Sequence, residues 1–373
     1  MISHSEMPES VTSEKQSVTI PRWFDRHLHI RDTYMMEDVL PCTLKQKATG
    51  AVIMPNPSLS GPPGPIDTVE KALAYRRRIA ALLPKGSDFI PCMTLYLTDH
   101  TTPEEVVCGF EEGVIRAVKL YMANQKGEGG TTGSGHGVRD LVGRYPVFKA
   151  MQEISGRLNK PFPLLGHWEA VEEDVDEFDR EIFSVNRDLM PILKSFPGLT
   201  VVFEHLTDGR AAEFVADSDH PGGLYATVTV QHLIINRNAM FWGGMNPINY
   251  CKPVPKRESH RLKVRKYVTS GNRRFGAGTD SAPHDMSTKS LCCGCAAGTF
   301  TAPRAVEMYT TVFDEDNALQ HLGQFLSENF VNIYGMEVSQ KVMTIQRASS
   351  EIPKKVGDVM VFEGGKTIPW TLM

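Results

Sequence analysis

Two histidines near the start of the chain have the spacing of a metal-binding pair. His27 and His29 lie within residues 25–32, at the end of a strand predicted over residues 18–30. Because alternate side chains of a strand point to the same face, the two imidazoles would reach one point. Arg31 is the next residue on that face and could hold an anion beside them. A His-x-His pair alone is weak evidence, since a structural role or chance accounts for many such pairs.

Further polar residues stand at the ends of other predicted strands. In chain order they are Asn56, Lys119, His167, His205 and Asp280. Each has a structural alternative: a histidine can be a hydrogen-bonded core residue, Lys119 a lysine at the protein surface, and Asp280 the cap of a helix. Coincidence at five strand ends is much less plausible than a shared role. Neutral imidazole and carboxylate are ligands of zinc and related divalent ions, so these residues predict a metal site.

The elements that carry these residues predict an α/β fold, a (β/α)8 TIM-type barrel with a short C-terminal extension. The strands are predicted at 18–30, 51–54, 89–97, 115–121, 162–167, 200–204, 225–233 and 274–278. Helices are predicted at 69–83, from 102 to about 113, at 172–196 and at 258–269. We expect a disordered tail at 1–17, the barrel at 18–335 and an extension packed on it at 336–373. In such barrels the strand ends meet at one mouth, where active sites lie.

Composition excludes several classes of protein. The chain has 373 residues, 41% of them hydrophobic, and a net charge of −4, so nothing indicates binding to nucleic acid or to an anionic membrane. Residues 1–17 are polar and lack the apolar core of a signal peptide, and no apolar run is long enough to span a membrane. Seven cysteines, an odd number, favour reduced thiols and a cytoplasmic location. Cys292, Cys293 and Cys295 leave a structural zinc site as an alternative, although only three thiols are close together.

Nine short motifs match those of one enzyme family in the same order along the chain. They are His-Leu-His-Ile-Arg-Asp at 27–32, Met-Pro-Asn at 54–56, Tyr-Leu-Thr-Asp at 96–99, Lys-Leu-Tyr at 119–121, Phe-Glu-His at 203–205, Gln-His-Leu at 231–233, Asn-Arg-Asn at 236–238, Gly-Thr-Asp-Ser-Ala-Pro-His at 278–284 and Cys-Gly-Cys-Ala at 293–296. On these motifs the chain resembles the dihydroorotases of the shorter, bacterial type, within the amidohydrolase superfamily. The last two motifs distinguish this branch from its relatives.

The resemblance implies a hydrolase acting on cyclic amide C–N bonds, with two Zn²⁺ per subunit. It places His27, His29 and Asp280 on the first ion and His167 and His205 on the second. Lys119 would bridge both as its N6-carboxylated form, together with a hydroxide. An ammonium cannot bind a cation, whereas a carbamate is an anion with two oxygens. Asp280 would also be the catalytic residue that moves the proton.

The resemblance also implies a small-molecule substrate and its contacts. The reaction would be the reversible cyclisation of N-carbamoyl-L-aspartate to L-dihydroorotate with loss of water, in pyrimidine biosynthesis. Arg31, Asn56 and His284 match positions that hold the substrate carboxylate. Main-chain groups at Lys252 and Ala296 would pair with the ring amides. A homodimer is implied as well.

Two departures and two alternatives remain. Residues 125–130 lengthen the segment before Thr131 and Thr132, which in the family belong to a mobile loop that closes over the substrate; a plain surface loop is the alternative. Trp168 is larger than the residue expected after His167.

A related cyclic amidohydrolase, such as a hydantoinase or an allantoinase, would share the metal site but not the carboxylate-binding set. An inactive scaffold protein would be marked by lost metal ligands, and none is lost in this sequence.

Overall fold

Two sheets and a two-stranded hairpin make up the strands of the computed structural model, which describes residues 16–57, 64–124, 136–290 and 295–373. In chain order the strands are β1 (Ser17–Pro21), β2 (Asp25–Leu28), β3 (Gly50–Ile53), β4 (Ile90–Tyr96), β5 (Ala117–Tyr121), β6 (Leu164–His167), β7 (Val201–Phe203), β8 (Leu224–Val228), β9 (Phe275–Ala277), β10 (Val342–Glu351), β11 (Lys355–Val356), β12 (Val359–Met360) and β13 (Thr367–Leu372).

The larger sheet contains β2 to β9 in sequence order, with every neighbouring pair parallel. Its two edges meet just beyond the strands, where Leu28 forms a parallel bridge with Ser281 and the Asp280 amide donates to the His27 carbonyl at 2.9 Å. Parallel strands covered on both faces consist of nearly continuous apolar runs, which is why the sequence pattern located them. The predicted (β/α)8 barrel is therefore confirmed.

Helices cover the outside of the barrel. Those of α type are α1 (Thr33–Lys45), α2 (Val69–Leu82), α3 (Pro103–Glu111), α4 (Tyr145–Leu158), α5 (Arg180–Ser184), α6 (Met190–Ser195), α7 (Gly209–Ala216), α8 (Val230–Ile234), α9 (Glu258–Thr269), α10 (Met286–Lys289) and α11 (Ala305–Glu315). A π-helical turn, Val185–Leu189, joins α5 to α6, and a second one spans Gln324–Glu328. The predicted starts of α2 and α3 are confirmed, because the Thr68 and Thr102 hydroxyls cap them at 3.2 Å from the amides of Lys71 and Glu105.

The barrel interior is apolar at its base and polar at its mouth. An inner cluster joins strand side chains to the segment Phe330–Tyr334; its strand members include Val52, Ala117, Leu165 and Val202. Because side chains alternate along a strand, Ala117 lies on the same face of β5 as Lys119 and Tyr121. This interior face therefore changes from apolar at the base to polar at the mouth. The sequence thus places ionisable side chains at one end of an otherwise apolar barrel.

The smaller sheet pairs β1, β10 and β13 antiparallel in the order β1-β10-β13. The prediction of a single strand over residues 18–30 was therefore wrong, since β1 and β2 belong to different sheets. The strand predicted at 225–233 ends at Val228, because Thr229 caps α8 with its hydroxyl 3.3 Å from the His232 amide. The helix predicted from residue 172 begins at Arg180. Residues 1–15 lie outside the described ranges, and the division of the chain at residues 17 and 335 stays a proposal.

Candidate metal and substrate site

All six predicted metal ligands are buried at the carboxyl ends of the barrel strands. His27 belongs to β2 and His29 follows it; Lys119 belongs to β5 and His167 ends β6. His205 and Asp280 come two and three residues after β7 and β9. The exposed fractions are 1% for His27, 7% for His29, 0% for Lys119, 3% for His167, 2% for His205 and 5% for Asp280.

His27, His29 and Asp280 form the tightest of these contacts. One oxygen of Asp280, Oδ1, lies 3.2 Å from His27 Nε2 and 3.1 Å from His29 Nε2. Within the described ranges, this is the group of histidine, cysteine and acidic side chains that could hold a metal ion, with ligand atoms within 4.8 Å of one another. The structure therefore brings the first predicted ligand set together.

The remaining ligands lie directly beside this group. The His205 ring centroid is 5.0 Å from that of His27 and 4.4 Å from that of His167. The Lys119 Nζ lies 4.9 Å from the centroid of the Tyr121 ring, which is itself 5.9 Å from the centroid of the His167 ring. Hence all six side chains line one continuous part of the barrel mouth.

Two carboxylates that were not predicted from the sequence each contact one of the predicted histidine ligands. Glu204 Oε2 lies 2.5 Å from His27 Nδ1 and accepts from the Thr227 hydroxyl at 2.6 Å, while Glu169 Oε2 lies 2.5 Å from His167 Nε2. A carboxylate on one ring nitrogen fixes the orientation and tautomer of the imidazole and leaves the other nitrogen to bind a metal. Glu204 belongs to the motif Phe-Glu-His, and an acid at the end of a predicted apolar strand was the signal that could have found it.

Several nitrogen atoms of the predicted metal ligands have no hydrogen-bond partner among the described residues and could bind a cation instead. Lys119 Nζ, His27 Nε2 and His205 Nδ1 are buried without a hydrogen-bond partner in the described part of the chain. Burial lowers the pKa of His29 to about 3 and that of His205 well below its ordinary range, so both rings are neutral. Against the effect of burial, Glu204 and Asp280 raise the pKa of His27, so negative charge on both sides of the ring favours a positive charge there, which a bound metal ion would supply.

Three residues of this site have an unusual backbone conformation. Arg31, His205 and Asp280 have φ values of 63°, 40° and 42°, in the left-handed region that few residues other than glycine adopt. Such conformations cluster at functional sites, where surrounding contacts hold them. The Tyr75 hydroxyl, for example, donates to the Arg31 carbonyl.

The three residues predicted to bind a carboxylate are in contact next to this cluster. Arg31 Nη2 lies 3.0 Å from His284 Nε2, and Arg31 Nη1 lies 3.4 Å from the Asn56 carbonyl. The Tyr121 hydroxyl donates to Asn56 Oδ1 at 3.2 Å. Burial, reinforced by the Arg31 charge, holds the pKa of His284 well below its ordinary range. A neutral imidazole and a guanidinium thus share one side of the mouth.

Of the other predicted substrate contacts, Lys252 and Ala296 belong to the described residues, whereas Thr131 and Thr132 do not. The Lys252 ammonium pairs with Glu177, with Nζ 3.3 Å from Oε1, so the predicted role of the Lys252 main chain stays a prediction. The Ala296 carbonyl accepts from Lys289 Nζ at 3.0 Å, and the Ala296 amide donates to the Thr288 carbonyl at 3.1 Å. Thr131 and Thr132 lie outside the described residues, as do Cys292 and Cys293.

Trp168, the larger residue noted after His167, packs into the outer core between strands and helices. A Cβ atom at Gly166 would lie 2.1 Å from the Trp168 ring, so glycine at that position makes room for the indole. The ring therefore occupies the outer face of β6, while His167 lies among the other predicted ligands.

The chain is similar in sequence and in fold to proteins named dihydroorotase. The chain is 46% identical over 356 residues to a protein named dihydroorotase from Sphingopyxis alaskensis, covering 95% of this chain and 99% of that relative. It is similar to the solved dihydroorotase of Saccharomyces cerevisiae in complex with 5-fluoroorotic acid, with a TM-score of 0.83, 28% identity and coverage of 96% and 98%. For the Campylobacter jejuni dihydroorotase the TM-score is 0.80, with 28% identity and coverage of 98% and 100%. No family model matches the chain.

More distant solved structures share the fold alone. An L-hydantoinase from Arthrobacter aurescens gives a TM-score of 0.77 at 13% identity, covering 95% of this chain and 83% of that one. An inactive dihydroorotase-like domain from Chaetomium thermophilum gives 0.64 at 14%, with coverage of 95% and 91%. Both alternatives from the sequence thus have structural neighbours, at much lower identity than the relatives named above.

Proposed function

Because the chain belongs to the dihydroorotase family, we propose that it interconverts N-carbamoyl-L-aspartate and L-dihydroorotate in pyrimidine biosynthesis. This makes it a hydrolase acting on a cyclic amide bond. The observation that carries the proposal is the contact of Arg31, Asn56 and His284 beside the buried histidine, lysine and aspartate cluster. A carboxylate-binding set next to a metal-binding set matches a cyclic amide that bears a carboxylate.

We further propose two zinc ions per subunit. His27, His29 and Asp280 would hold one, His167 and His205 the other, and carboxylated Lys119 both. Burial lowers the pKa of Lys119 to about 8, which raises the share of neutral amine able to combine with carbon dioxide. When bound, such a metal pair supplies a Lewis acid for the carbonyl and lowers the pKa of bound water to about 7.

The side chains of the chain itself account for orientation and proton transfer. Asp280 is the acid and base: in ring opening, one carboxylate oxygen takes a proton from the water that attacks the ring carbonyl and passes it to the departing ring nitrogen, so a C–O bond forms as the C–N bond breaks. Arg31 and His284 fix the substrate carboxylate, and main chain at Lys252 meets a ring amide. The Ala296 amide is taken by Thr288, but its carbonyl has a second lone pair beside the one that Lys289 occupies and can accept from a ring N–H. Thr131 and Thr132 stay proposed as donors of a closing loop.

Substrate preference separates this proposal from the related amidohydrolases. Hydantoin and allantoin lack the ring carboxylate that Arg31 would bind, so we expect kcat/KM for L-dihydroorotate to exceed theirs by about 100-fold or more, the worth of a buried charged pair. Equal or greater turnover of hydantoin would support the hydantoinase alternative. No turnover of any of the three by metal-loaded protein would support the inactive scaffold.

Replacement of Arg31 by methionine should weaken substrate binding without loss of metal. The buried guanidinium is expected to form a charge-assisted pair, and its removal should reduce transition-state stabilisation by roughly 2–4 kcal/mol in kcat/KM. Metal analysis and steady-state kinetics measure the two effects separately. Arg157→Met, on an arginine whose side chain is 61% exposed, is the matched control and should behave as wild type. Loss of metal together with activity in Arg31→Met would show a structural role for Arg31 instead.

We also propose a homodimer that works in the cytoplasm. The described cysteines are free thiols, a state that a reducing compartment maintains. Separately, no helix in the described part of the chain is long and apolar enough to cross a membrane. Phe241, Trp242 and Met245, within one short segment, are 51%, 85% and 79% exposed. Exposed apolar clusters commonly mark protein interfaces.

Replacement of Trp242 by glutamate should therefore weaken the dimer. A charge in an apolar contact costs desolvation energy, so we expect the dimer dissociation constant to rise by about tenfold or more. Light scattering across a dilution series measures it. Val142→Glu, at a residue that is 68% exposed elsewhere, is the control and should leave the dimer intact. An unchanged dimer in Trp242→Glu would place the interface on another surface.

A further inference from the structure

Lys289 carries a buried ammonium that is bound entirely by main chain. The residue is 5% exposed and ends α10. Its Nζ donates to the carbonyls of Tyr250 at 2.9 Å, Ala296 at 3.0 Å and Gly298 at 2.7 Å. An ammonium has three donors, so these three acceptors satisfy it. The side chain has no place in the metal site or in the carboxylate-binding set.

The three carbonyls belong to two segments that are far apart in the sequence. Tyr250 precedes Cys251 and Lys252, whereas Ala296 and Gly298 lie in the segment after α10. The Tyr250 carbonyl accepts from the Gly298 amide as well, at 2.9 Å. Lys289 therefore ties together the two pieces of main chain that are proposed to meet the substrate ring.

The same segment also contacts the carboxylate-binding residues. The Ala297 carbonyl lies 2.9 Å from His284 Nε2, which is also 3.0 Å from Arg31 Nη2. One ring nitrogen cannot donate to the carbonyl and accept from the guanidinium together, so at least one of the two is a close approach without a hydrogen bond. Gly298 has a φ of 149°, and a Cβ there would lie 2.8 Å from His284 Cδ2. The position of this main chain thus depends on close packing against His284.

We propose that Lys289 is a positioning residue for the substrate. Its ammonium holds the main chain at 250–252 and 296–298 in one arrangement, so that the groups facing the ring amides and those facing the ring carboxylate are set at a fixed separation. The proposal rests on the function proposed above. It predicts that the ammonium acts on substrate affinity while metal binding and the proton transfer at Asp280 are left intact.

Lys289→Met tests this, because methionine fills a similar volume without a donor. We expect KM for L-dihydroorotate and the dissociation constant of 5-fluoroorotate, measured by calorimetry, to rise by about tenfold or more, or about 1.4 kcal/mol. Metal content should stay at the wild-type level and kcat should fall much less than affinity. Lys289→Arg retains a cation with several donors and should recover part of the affinity.

Lys149→Met is the control, since the Lys149 side chain is 68% exposed; it should match wild type in every measurement. KM does not depend on the fraction of folded enzyme, so a variant that merely folds poorly would lose activity per total protein with KM unchanged. That outcome would overturn the proposal, as would unchanged affinity for 5-fluoroorotate in metal-loaded Lys289→Met. Absence of L-dihydroorotate turnover in the wild-type protein would instead count against the proposed function.

Discussion

Lys119→Ala is expected to lose most of its bound metal and most of its turnover. The side chain is fully buried at the mouth, and its Nζ has no hydrogen-bond partner in the described ranges. Beside burial, the charge of Lys119 is one of the causes that lower the pKa of His167 and of His205. As a carbamate it would contribute two oxygens to the metals. Changes to groups that only support a ligand cost about 10–100-fold, so loss of a bridging ligand should cost more than about 100-fold in kcat.

Two measurements make the Lys119 result specific. Acetate or propionate can enter the cavity left by Lys119→Ala and supply a carboxylate, so millimolar amounts should restore part of the metal and of the activity. Lys149→Ala removes an exposed lysine and should need no rescue. Full metal content and normal turnover in Lys119→Ala would show that this lysine is neither a ligand nor a bridge.

Asp280→Asn should abolish turnover in both directions of the reaction. Asp280 Oδ1 lies 3.2 Å and 3.1 Å from two histidine nitrogens, so the residue is placed to bind metal and to move a proton. Proton transfer by a positioned side chain contributes about 10²–10⁴-fold, and the weaker ligand adds to the loss. We therefore expect kcat to fall by about 10³-fold or more for ring opening and for ring closure.

Asparagine is chosen because the backbone at Asp280 has a φ of 42°. Asparagine tolerates this left-handed conformation, whereas alanine would add strain unrelated to the chemistry. Metal-free Asp280→Asn should therefore unfold at nearly the temperature of the metal-free wild type, while its kcat with metal present collapses. Activity retained in both directions would mean that another group carries the proton.

The sequence predicted the site better than it predicted the ends of the strands. His27 was found from its spacing to His29. Lys119 and His167 were found because buried parallel strands are apolar runs, and a polar residue near the end of such a run stands out. Asp280 was found in the same way, after a run rich in small residues. The barrel brings these strand ends to one mouth, so position along each strand was enough to predict proximity.

What the sequence could not provide depends on contacts between distant residues. The break between β1 and β2 arises because β1 pairs with β10, more than 300 residues later, and no local pattern encodes that partner. β8 ends where Thr229 caps α8, inside a mostly apolar run. In such a short run, the spacing of apolar residues alone cannot distinguish a strand from a helix. Glu169 contacts the His167 ring, and Lys289 donates to main-chain carbonyls. Only the folded chain brings these partners together.

The most direct test of the account is a titration of metal-free protein with zinc in bicarbonate buffer, with turnover of L-dihydroorotate measured at each addition. The account predicts no turnover without metal and a rise that levels off at two zinc ions per chain, because six side chains are proposed to form one two-metal site. Full turnover of the metal-free protein, or no turnover at any zinc concentration, would contradict it.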